Sequence, residues 1–135
     1  MIKQLNITTQ QQGLLNITHL ICAAVDSSET QEGLCTVFVQ HTSASLIIQE
    51  NADPSAKHDL EQWLNRLVKE NDPLYTHTLE GPDDMPSHIK SVLTATSLSI
   101  PILQNRLTLG TWQGIYLWEH RKHGSTRSVI VHIGD

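Results

Sequence analysis

The spacing of apolar residues along the chain predicts three helices. Helical spacing occurs from Leu14 to Val25, after Asp53-Pro54, and from about Pro86 to Ala95. Pro54 suits the first position of a helix, and Asp53 suits the N-cap before it. The second helix has the clearest apolar stripe, which consists of Leu60, Trp63, Leu64, Leu67 and Val68.

Alternating apolar positions and β-branched residues predict six or seven strands. These segments are residues 2–9, 34–40, 45–48, 97–103, 106–109, 113–120 and 128–133. Pro101 has no N–H to donate, so its strand is expected to lie at a sheet edge or to end there. Connections between neighbouring strands are often short. We therefore expect an α+β fold in which a mixed, mostly antiparallel sheet is covered by two to three helices, within one domain spanning residues 1–135.

Composition and charge narrow the classes of partner. The formal net charge of −5 argues against nucleic-acid binding, which usually needs a basic face. No apolar run approaches the ~20 residues that a membrane helix requires, and the N-terminal residues lack the pattern of a signal peptide. Cys22 and Cys35 lie among apolar residues, which is typical of reduced, buried thiols. We expect a cytoplasmic protein with no nucleic-acid or membrane partner.

The segment His77–Lys90 has the highest density of chemically useful side chains. It contains two histidines, three carboxylates and a lysine, with a glycine and two prolines to shape the backbone. Histidine titrates near neutral pH and binds metals, and paired carboxylates bind hard cations or shift each other's pKa. The alternative is a solvated loop in which Asp83 or Asp84 only caps the next helix.

Three other places offer candidate site residues. His41 lies at the end of a strand whose buried side carries Val37 and Val39, and a histidine there could bind a ligand or simply bond to backbone. Asn51 precedes a helix N-terminus, which favours anions. The residues Tyr116, Trp118 and His120 alternate onto one strand face, which could line a pocket for a flat heterocycle or pack internally.

A metal site would have to combine distant segments, because no H-E-x-x-H, zinc-ribbon, P-loop or G-x-G-x-x-G motif is present. Three protein ligands and one open position are typical of catalytic zinc. The candidate ligands for such a site are His41, His88 and His120. Histidines favour zinc and carboxylates favour magnesium, so the choice between these two divalent metals stays open.

Several motifs resemble the YjbQ-like family, also called the secondary thiamine-phosphate synthase family. They occur in order along the chain at residues 38–46, 50–54, 77–90, 109–115 and 119–121. The resemblance implies an α+β fold, a homotrimer, and a site near the subunit boundary with a metal ion in some members. It also implies a weak activity that joins a pyrimidine diphosphate to a thiazole phosphate and releases pyrophosphate.

This chemistry can be matched to residues of the family-like motifs as a hypothesis. The candidate catalytic residues are His77, Glu80, Asp83, Asp84 and Glu119. The candidate substrate-binding residues are Asn51, Lys90, Gln113 and Arg121, with Arg127 as a further phosphate contact. Asp83 and Asp84 could also hold magnesium, and Glu80 or Glu119 could stabilise a cationic pyrimidine fragment.

Three functions therefore remain open. The first is the thiamine-phosphate-forming transferase. The second is a metal-dependent hydrolase of another phosphorylated or heterocyclic small molecule, which the same histidines and aspartates would serve. The third is a non-catalytic, ligand-binding trimer.

Overall fold

The computed structural model describes residues 1–135 as eight strands and three helices. The strands are β1 (Ile2–Thr8), β2 (Gln11–Asn16), β3 (Glu32–Val39), β4 (Ala44–Glu50), β5 (Ser97–Leu103), β6 (Arg106–Leu107), β7 (Gln113–His123) and β8 (Thr126–Gly134). The helices are α1 (Thr18–Ser28), α2 (Pro54–Leu67) and α3 (Asp84–Leu93).

The strands form two antiparallel sheets, which confirms the expected α+β class. One sheet has five strands in the order β1-β8-β3-β5-β6, and the other has three in the order β2-β7-β4. Every strand pairing is antiparallel, so the mixed character that the sequence suggested does not occur. The chain passes directly between the sheets at the β1–β2, β3–β4 and β7–β8 connections.

The main core lies between the two sheets and α1. Alternation along β3 turns Cys35, Val37 and Val39 inward, as the sequence predicted for the two valines. The second sheet contributes Ile115 and Leu117 from β7 to the same core. Apolar burial of this kind supplies most of the free energy that opposes chain entropy on folding.

A second apolar cluster lies on the opposite face of the three-stranded sheet. It joins Leu14, Tyr116 and Trp118 of the sheet to Leu64 and Val68 at the end of α2. β7 is therefore buried on both faces. The Tyr116, Trp118 and His120 face packs against helices and does not line an open pocket for a heterocycle.

The predicted helix from Leu14 to Val25 is wrong in its first part. Residues up to Asn16 form β2, and the helix begins only at Thr18. β2 pairs with β7, where Leu14 lies opposite Trp118, so sheet hydrogen bonds replace helical ones. Leu14 and Ile17 have helical spacing, yet they enter different apolar clusters, which a single helical face could not reach.

The other helices follow the sequence closely. The Asp53 carboxylate caps α2 by accepting the N–H of Ser55 at 2.9 Å, and Pro54 is the first helical residue. Of the predicted stripe on α2, Trp63 and Leu67 stay more than half exposed. Cys22 and Cys35 are free thiols. No helix has the length and apolar character needed to span a membrane.

Gly124 allows the β7–β8 turn to pack directly on the β1–β2 connection. A Cβ atom at this position would lie 1.8 Å from the carbonyl oxygen of Thr9, which is backbone and cannot rotate away. We expect Gly124→Ala to lower the free energy of unfolding by about 3 kcal/mol in urea denaturation, because one sheet crossing must shift. The matched control is Gly110→Ala, whose Cβ would meet only the Gln113 side chain at 3.3 Å. Equal losses in both variants would contradict this account.

Candidate functional site

The densest polar cluster lies where the C-terminal half of β7 meets the start of α3. Arg121 of β7 donates from Nε to Asp83 Oδ2 at 3.0 Å and from Nη1 to Asp84 Oδ1 at 2.7 Å. Its Nη2 also donates to the carbonyl oxygen of Glu80 at 2.9 Å. Asp83 accepts a further bond from the backbone N–H of Lys122 at 2.9 Å. Arg121 therefore fixes both aspartates and the preceding loop in one arrangement.

Two histidines complete this cluster by converging on the other oxygen of Asp84. His77 Nε2 lies 2.7 Å from Asp84 Oδ2, and His88 Nε2 lies 3.1 Å from the same oxygen. His88 is one helical turn after Asp84, so both side chains share a face of α3. Burial alone would raise the pKa of Asp84, but the bond to His77 and the charges of His88 and Arg121 outweigh it and keep that pKa below its ordinary value.

The hydrogen bond on the far side of His88 indicates which of its ring nitrogens carries a proton. His88 Nδ1 lies 2.9 Å from the carbonyl oxygen of Thr42, and a carbonyl only accepts, so Nδ1 carries a proton. In a neutral ring, Nε2 then presents a lone pair to a carboxylate oxygen. Two acceptors at 3.1 Å repel unless a cation lies between them, either a second proton on the ring or a metal ion.

The donor set fits a divalent metal. The ligand atoms of His77, Asp84 and His88 all lie within 4.8 Å of one another. Two imidazoles and a carboxylate are ligands that zinc accepts, at bond lengths of about 2.0–2.2 Å. The bond from His88 Nδ1 to a backbone carbonyl is the outer contact that orients a metal-binding histidine. Arg121 offsets only one of the two aspartate charges, which leaves a net negative charge for a cation.

An open hollow of about 550 Å³ adjoins this triad. Its lining combines imidazole rings with apolar and hydroxyl groups: His41, Thr42, His77, Met85, His88, Ser91, Val92 and Thr96. A smaller polar hollow of about 200 Å³ lies beside it, lined by Ser43, Asp83, Arg121, His123, Ser125 and Arg127. His77 and His88 of the triad are therefore accessible from the larger hollow.

Comparison with known proteins identifies the family. The family model described as UPF0047 protein YjbQ-like matches residues 3–135. The UPF0047 protein sll1880 of Synechocystis is 56% identical over 94% of this chain and 86% of its own length. The chain belongs to the YjbQ-like UPF0047 family. UPF0047 protein YjbQ of Escherichia coli O157:H7 is 43% identical over 95% of this chain and 93% of its own.

Solved structures agree with this assignment. The conserved hypothetical protein TT1486 of Thermus thermophilus superposes with a TM-score of 0.87 at 35% identity, over 98% of this chain and 99% of that one. A YjbQ/UPF0047 family protein of Clostridium acetobutylicum gives a TM-score of 0.85 at 36% identity, over 99% of both chains. The two-sheet architecture is therefore the fold of the family.

A buried ion pair lies directly behind the triad of this YjbQ-like chain. Glu119 of β7 is fully buried, and Arg127 of β8 is 4% exposed. Arg127 Nε donates to Glu119 Oε1 at 2.8 Å, and its Nη2 donates to Glu119 Oε2. Thr9 Oγ1 and the backbone N–H of Arg121 also donate to the carboxylate, at 2.6 and 3.1 Å. Glu119 therefore has a structural role, because its buried carboxylate is held by these hydrogen bonds and is not accessible to a substrate.

Two predicted substrate residues lie far from the triad. Asn51 Nδ2 donates to the carbonyl oxygen of Gln113, so these residues do meet each other. They meet at the opposite end of the β4–β7 pair, where Glu50 is paired with Gln113, whereas Ala44 pairs with Glu119 near the triad. Six residues of strand separate the two ends by about 20 Å. Within one chain, Asn51 and Gln113 do not join the cluster.

Lys90 and His120 are also placed away from the open hollow. Lys90 faces the interior, where its Nζ donates to Asn65 Oδ1 at 2.6 Å, because it lies on the side of α3 opposite His88. His120 is 1% exposed, and its Nε2 lies 2.8 Å from Ser45 Oγ. Burial and the nearby charges of Lys90 and Arg127 lower the pKa of His120 to about 3, so its ring is neutral.

The predicted ligand set of three histidines is therefore not assembled. His41 lines the same hollow as His88, but its Nε2 accepts the backbone N–H of Ser128 at 2.8 Å. Burial and the charge of Arg127 lower the pKa of His41. The structure groups His88 with His77 and Asp84, which the sequence had offered as catalytic residues.

No sequence pattern marks the backbone groups that orient the histidines. The Thr42 carbonyl sets the proton position on His88, and the Ser128 amide does the same for His41. Every residue carries such groups, so no residue type marks them. Met85, which lines the hollow beside His77, could have been found from its place within the 77–90 motif.

The pH dependence of stability is expected to report on Glu119. Burial would raise its pKa, but the bonds from Arg127, Thr9 and the Arg121 amide outweigh burial and hold the pKa below the unfolded value of about 4.3. A lowered folded pKa contributes stability above the unfolded pKa, and this contribution is lost as the pH falls through the folded pKa. We expect Glu119→Gln to lower the free energy of unfolding by about 3–5 kcal/mol at pH 7. We also expect the stability of this variant to depend less steeply on pH in the acid range.

Urea denaturation across pH 2–7 provides the measurement. The matched control is Glu32→Gln on the exposed start of β3, for which we expect a change within about 0.5 kcal/mol. Acid unfolding of Glu119→Gln that coincides with that of the unmodified chain would contradict a structural role for the ion pair.

Proposed function

We propose that this chain is a metal-dependent transferase of the thiamine-phosphate synthase type. It would join a pyrimidine diphosphate to a thiazole phosphate and release pyrophosphate, as a weak or secondary activity. The family resemblance suggests the reaction, and the triad supplies the groups that such a reaction needs. The observation that carries the proposal is that His77 Nε2 and His88 Nε2 converge on one oxygen of Asp84 beside an accessible hollow, because two imidazoles and a carboxylate in that arrangement can hold a cation.

The proposed reaction requires the negative charge on the departing pyrophosphate to be stabilised. The bond between the pyrimidine methylene carbon and the diphosphate oxygen breaks, and its electron pair leaves with pyrophosphate. The thiazole ring nitrogen donates its lone pair to that carbon, which forms the new C–N bond and leaves a thiazolium cation. A divalent cation held by His77, Asp84 and His88 would neutralise charge on the departing pyrophosphate. Two histidines in this set favour zinc over magnesium.

The remaining residues of the cluster have supporting roles in this proposal. Arg121 binds Asp84 Oδ1 and leaves Oδ2 for the cation. Asp83 accepts hydrogen bonds from Arg121 and the Lys122 amide and does not converge with the two histidines, so in this proposal it orients Arg121 and Asp84 holds the metal. Glu80 has an exposed side chain beside this loop, and of the two proposed glutamates it is the one free to approach a cationic pyrimidine fragment.

We further propose that the chain works as a homotrimer in the cytoplasm. Large apolar side chains surround the triad and stay open: Leu79 in the loop is 99% exposed, and Val92 on the rim of the hollow is 82% exposed. A neighbouring copy that covered them would also narrow the hollow. The two free thiols are consistent with a reducing compartment.

The runner-up function is a metal-dependent hydrolase. Two histidines and one aspartate would leave an open position on a four-coordinate zinc, which is the arrangement that activates water in hydrolytic sites. A ligand-binding trimer without turnover is the third possibility. Substrate and product analysis separates the three functions.

Metal binding is the first test. We expect about one zinc ion per chain by elemental analysis, and we expect Asp84→Asn and His88→Ala to weaken zinc binding at least about 100-fold in chelator competition. His58→Ala is the matched control, because His58 is exposed on α2. Unchanged zinc affinity in folded Asp84→Asn and His88→Ala would rule out this triad as the metal site.

Product formation is the second test. With the two substrates and zinc or magnesium, we expect thiamine phosphate by mass spectrometry, and a fall on the order of 100-fold in kcat/KM for Asp84→Ala and His88→Ala. Asp59→Ala, at an exposed position of α2, should keep the full rate. Full synthase activity in folded Asp84→Ala and His88→Ala would show the assignment to be wrong. Phosphate or pyrophosphate release without coupling would favour the hydrolase, and binding without turnover would favour the non-catalytic trimer.

A further inference from the structure

The hydrogen bonds around His41 determine which of its nitrogens carries the proton. The backbone N–H of Ser128 lies 2.8 Å from His41 Nε2. A backbone N–H only donates, so Nε2 must present its lone pair. The ring proton of His41 is therefore on Nδ1. This tautomer is imposed by β8 and does not depend on a ligand.

A second donor faces that proton. Arg127 Nη1 lies 3.3 Å from His41 Nδ1, and a guanidinium has no acceptor atom. The rest of the Arg127 side chain is held in place, because Nε and Nη2 donate to Glu119 and Nη2 also donates to the Ser43 carbonyl oxygen at 3.2 Å. Arg127 is 4% exposed. A buried, immobilised guanidinium edge thus points at another N–H donor with no acceptor for either.

This donor pair lies between the two hollows of the candidate site. His41 lines the larger hollow, which it shares with His77 and His88, and Arg127 lines the smaller polar hollow. Thr42, the next residue along the chain, supplies the carbonyl oxygen that orients His88. A molecule bound at the triad can therefore extend to the pair of donors.

We propose that His41 Nδ1–H and Arg127 Nη1–H form a two-donor subsite for a phosphate or diphosphate oxygen. Arg127 is buried, and His41 is half-buried on the wall of the open hollow, so an acceptor that enters the hollow can meet both donors. An oxyanion accepts from both donors at once, and hydrogen bonds to a charged acceptor are stronger than those to a neutral one. A cation is repelled there by both N–H groups.

The inference rests on the proposed function for the identity of the substrate, whose diphosphate would span the triad and the donor pair. It also changes the role of His41. The sequence suggested His41 as a metal ligand, whereas this tautomer makes it a hydrogen-bond donor to an anion. Glu119 already neutralises the Arg127 charge, so the affinity of the subsite comes from directed hydrogen bonds.

The test uses the full-length chain treated with a chelator, so that no metal contributes to binding. Inorganic phosphate and pyrophosphate are titrated and followed by calorimetry and by the imidazole ¹⁵N–¹H signals. We expect saturable pyrophosphate binding, a shift of the His41 Nδ1–H signal, and on the order of tenfold weaker binding in His41→Ala. The matched control His132→Ala removes an exposed histidine of β8 and should bind like the unmodified chain.

Two variants keep the outcome clear even if one fails to fold. Arg127→Lys retains a positive charge but loses the planar edge, and we expect it to weaken pyrophosphate binding as His41→Ala does. A His41 proton found on Nε2, or equal pyrophosphate affinity in His41→Ala and the unmodified chain, would overturn the subsite. A signal unaffected by either anion would show that the donors are satisfied by water only, which also overturns it.

The result separates the subsite from the synthase activity. If no thiamine phosphate forms but pyrophosphate binding depends on His41, the proposed function fails and the anion subsite stands. If thiamine phosphate forms but metal-free pyrophosphate binds equally well without His41, the proposed function stands and the anion subsite fails.

Discussion

The buried ion pair of Glu119 and Arg127 connects the two sheets at the end of the molecule that carries the candidate site. Glu119 belongs to the three-stranded sheet and Arg127 to the five-stranded sheet. The pair also holds the crossings between the sheets, through Thr9 after β1 and the carbonyl of Ser43 before β4. Desolvating two charges is unfavourable unless each finds further hydrogen bonds, and both do so here. The crossings and the ion pair therefore depend on each other.

The candidate site is an extension of this buried network toward solvent. Glu119 accepts the Arg121 amide, and the Arg121 side chain then orders Asp83 and Asp84. Asp84 in turn meets the two histidines. The network begins at the fully buried Glu119 and ends at His77 and His88, whose rings are partly exposed, so a rigid interior positions groups that remain accessible. Such pre-organisation favours binding because little side-chain entropy is lost when a ligand arrives.

Much of the fold was predictable from local patterns. Alternation located β3, β7 and β8, and Asp53-Pro54 located the start of α2, because these signals depend only on neighbouring residues. The helix predicted from Leu14 failed because pairing with β7 decides the conformation of residues 11–16, and no local pattern encodes that partner. The separation into two sheets escaped prediction for the same reason.

The sequence alone determined the family, the α+β class and the concentration of titratable side chains in residues 77–90, since these depend on residue types in a fixed order. Tertiary structure decided which of those groups meet. It joined His77, Asp84 and His88, buried Lys90 and His120, and left Asn51 a strand length away. The physical reason is that contacts across sheets and the direction of each side chain follow from packing and hydrogen bonding between distant segments. The carbonyl of Thr42 and the amide of Ser128, which set the proton positions on two histidines, have no signature in the residue type at all.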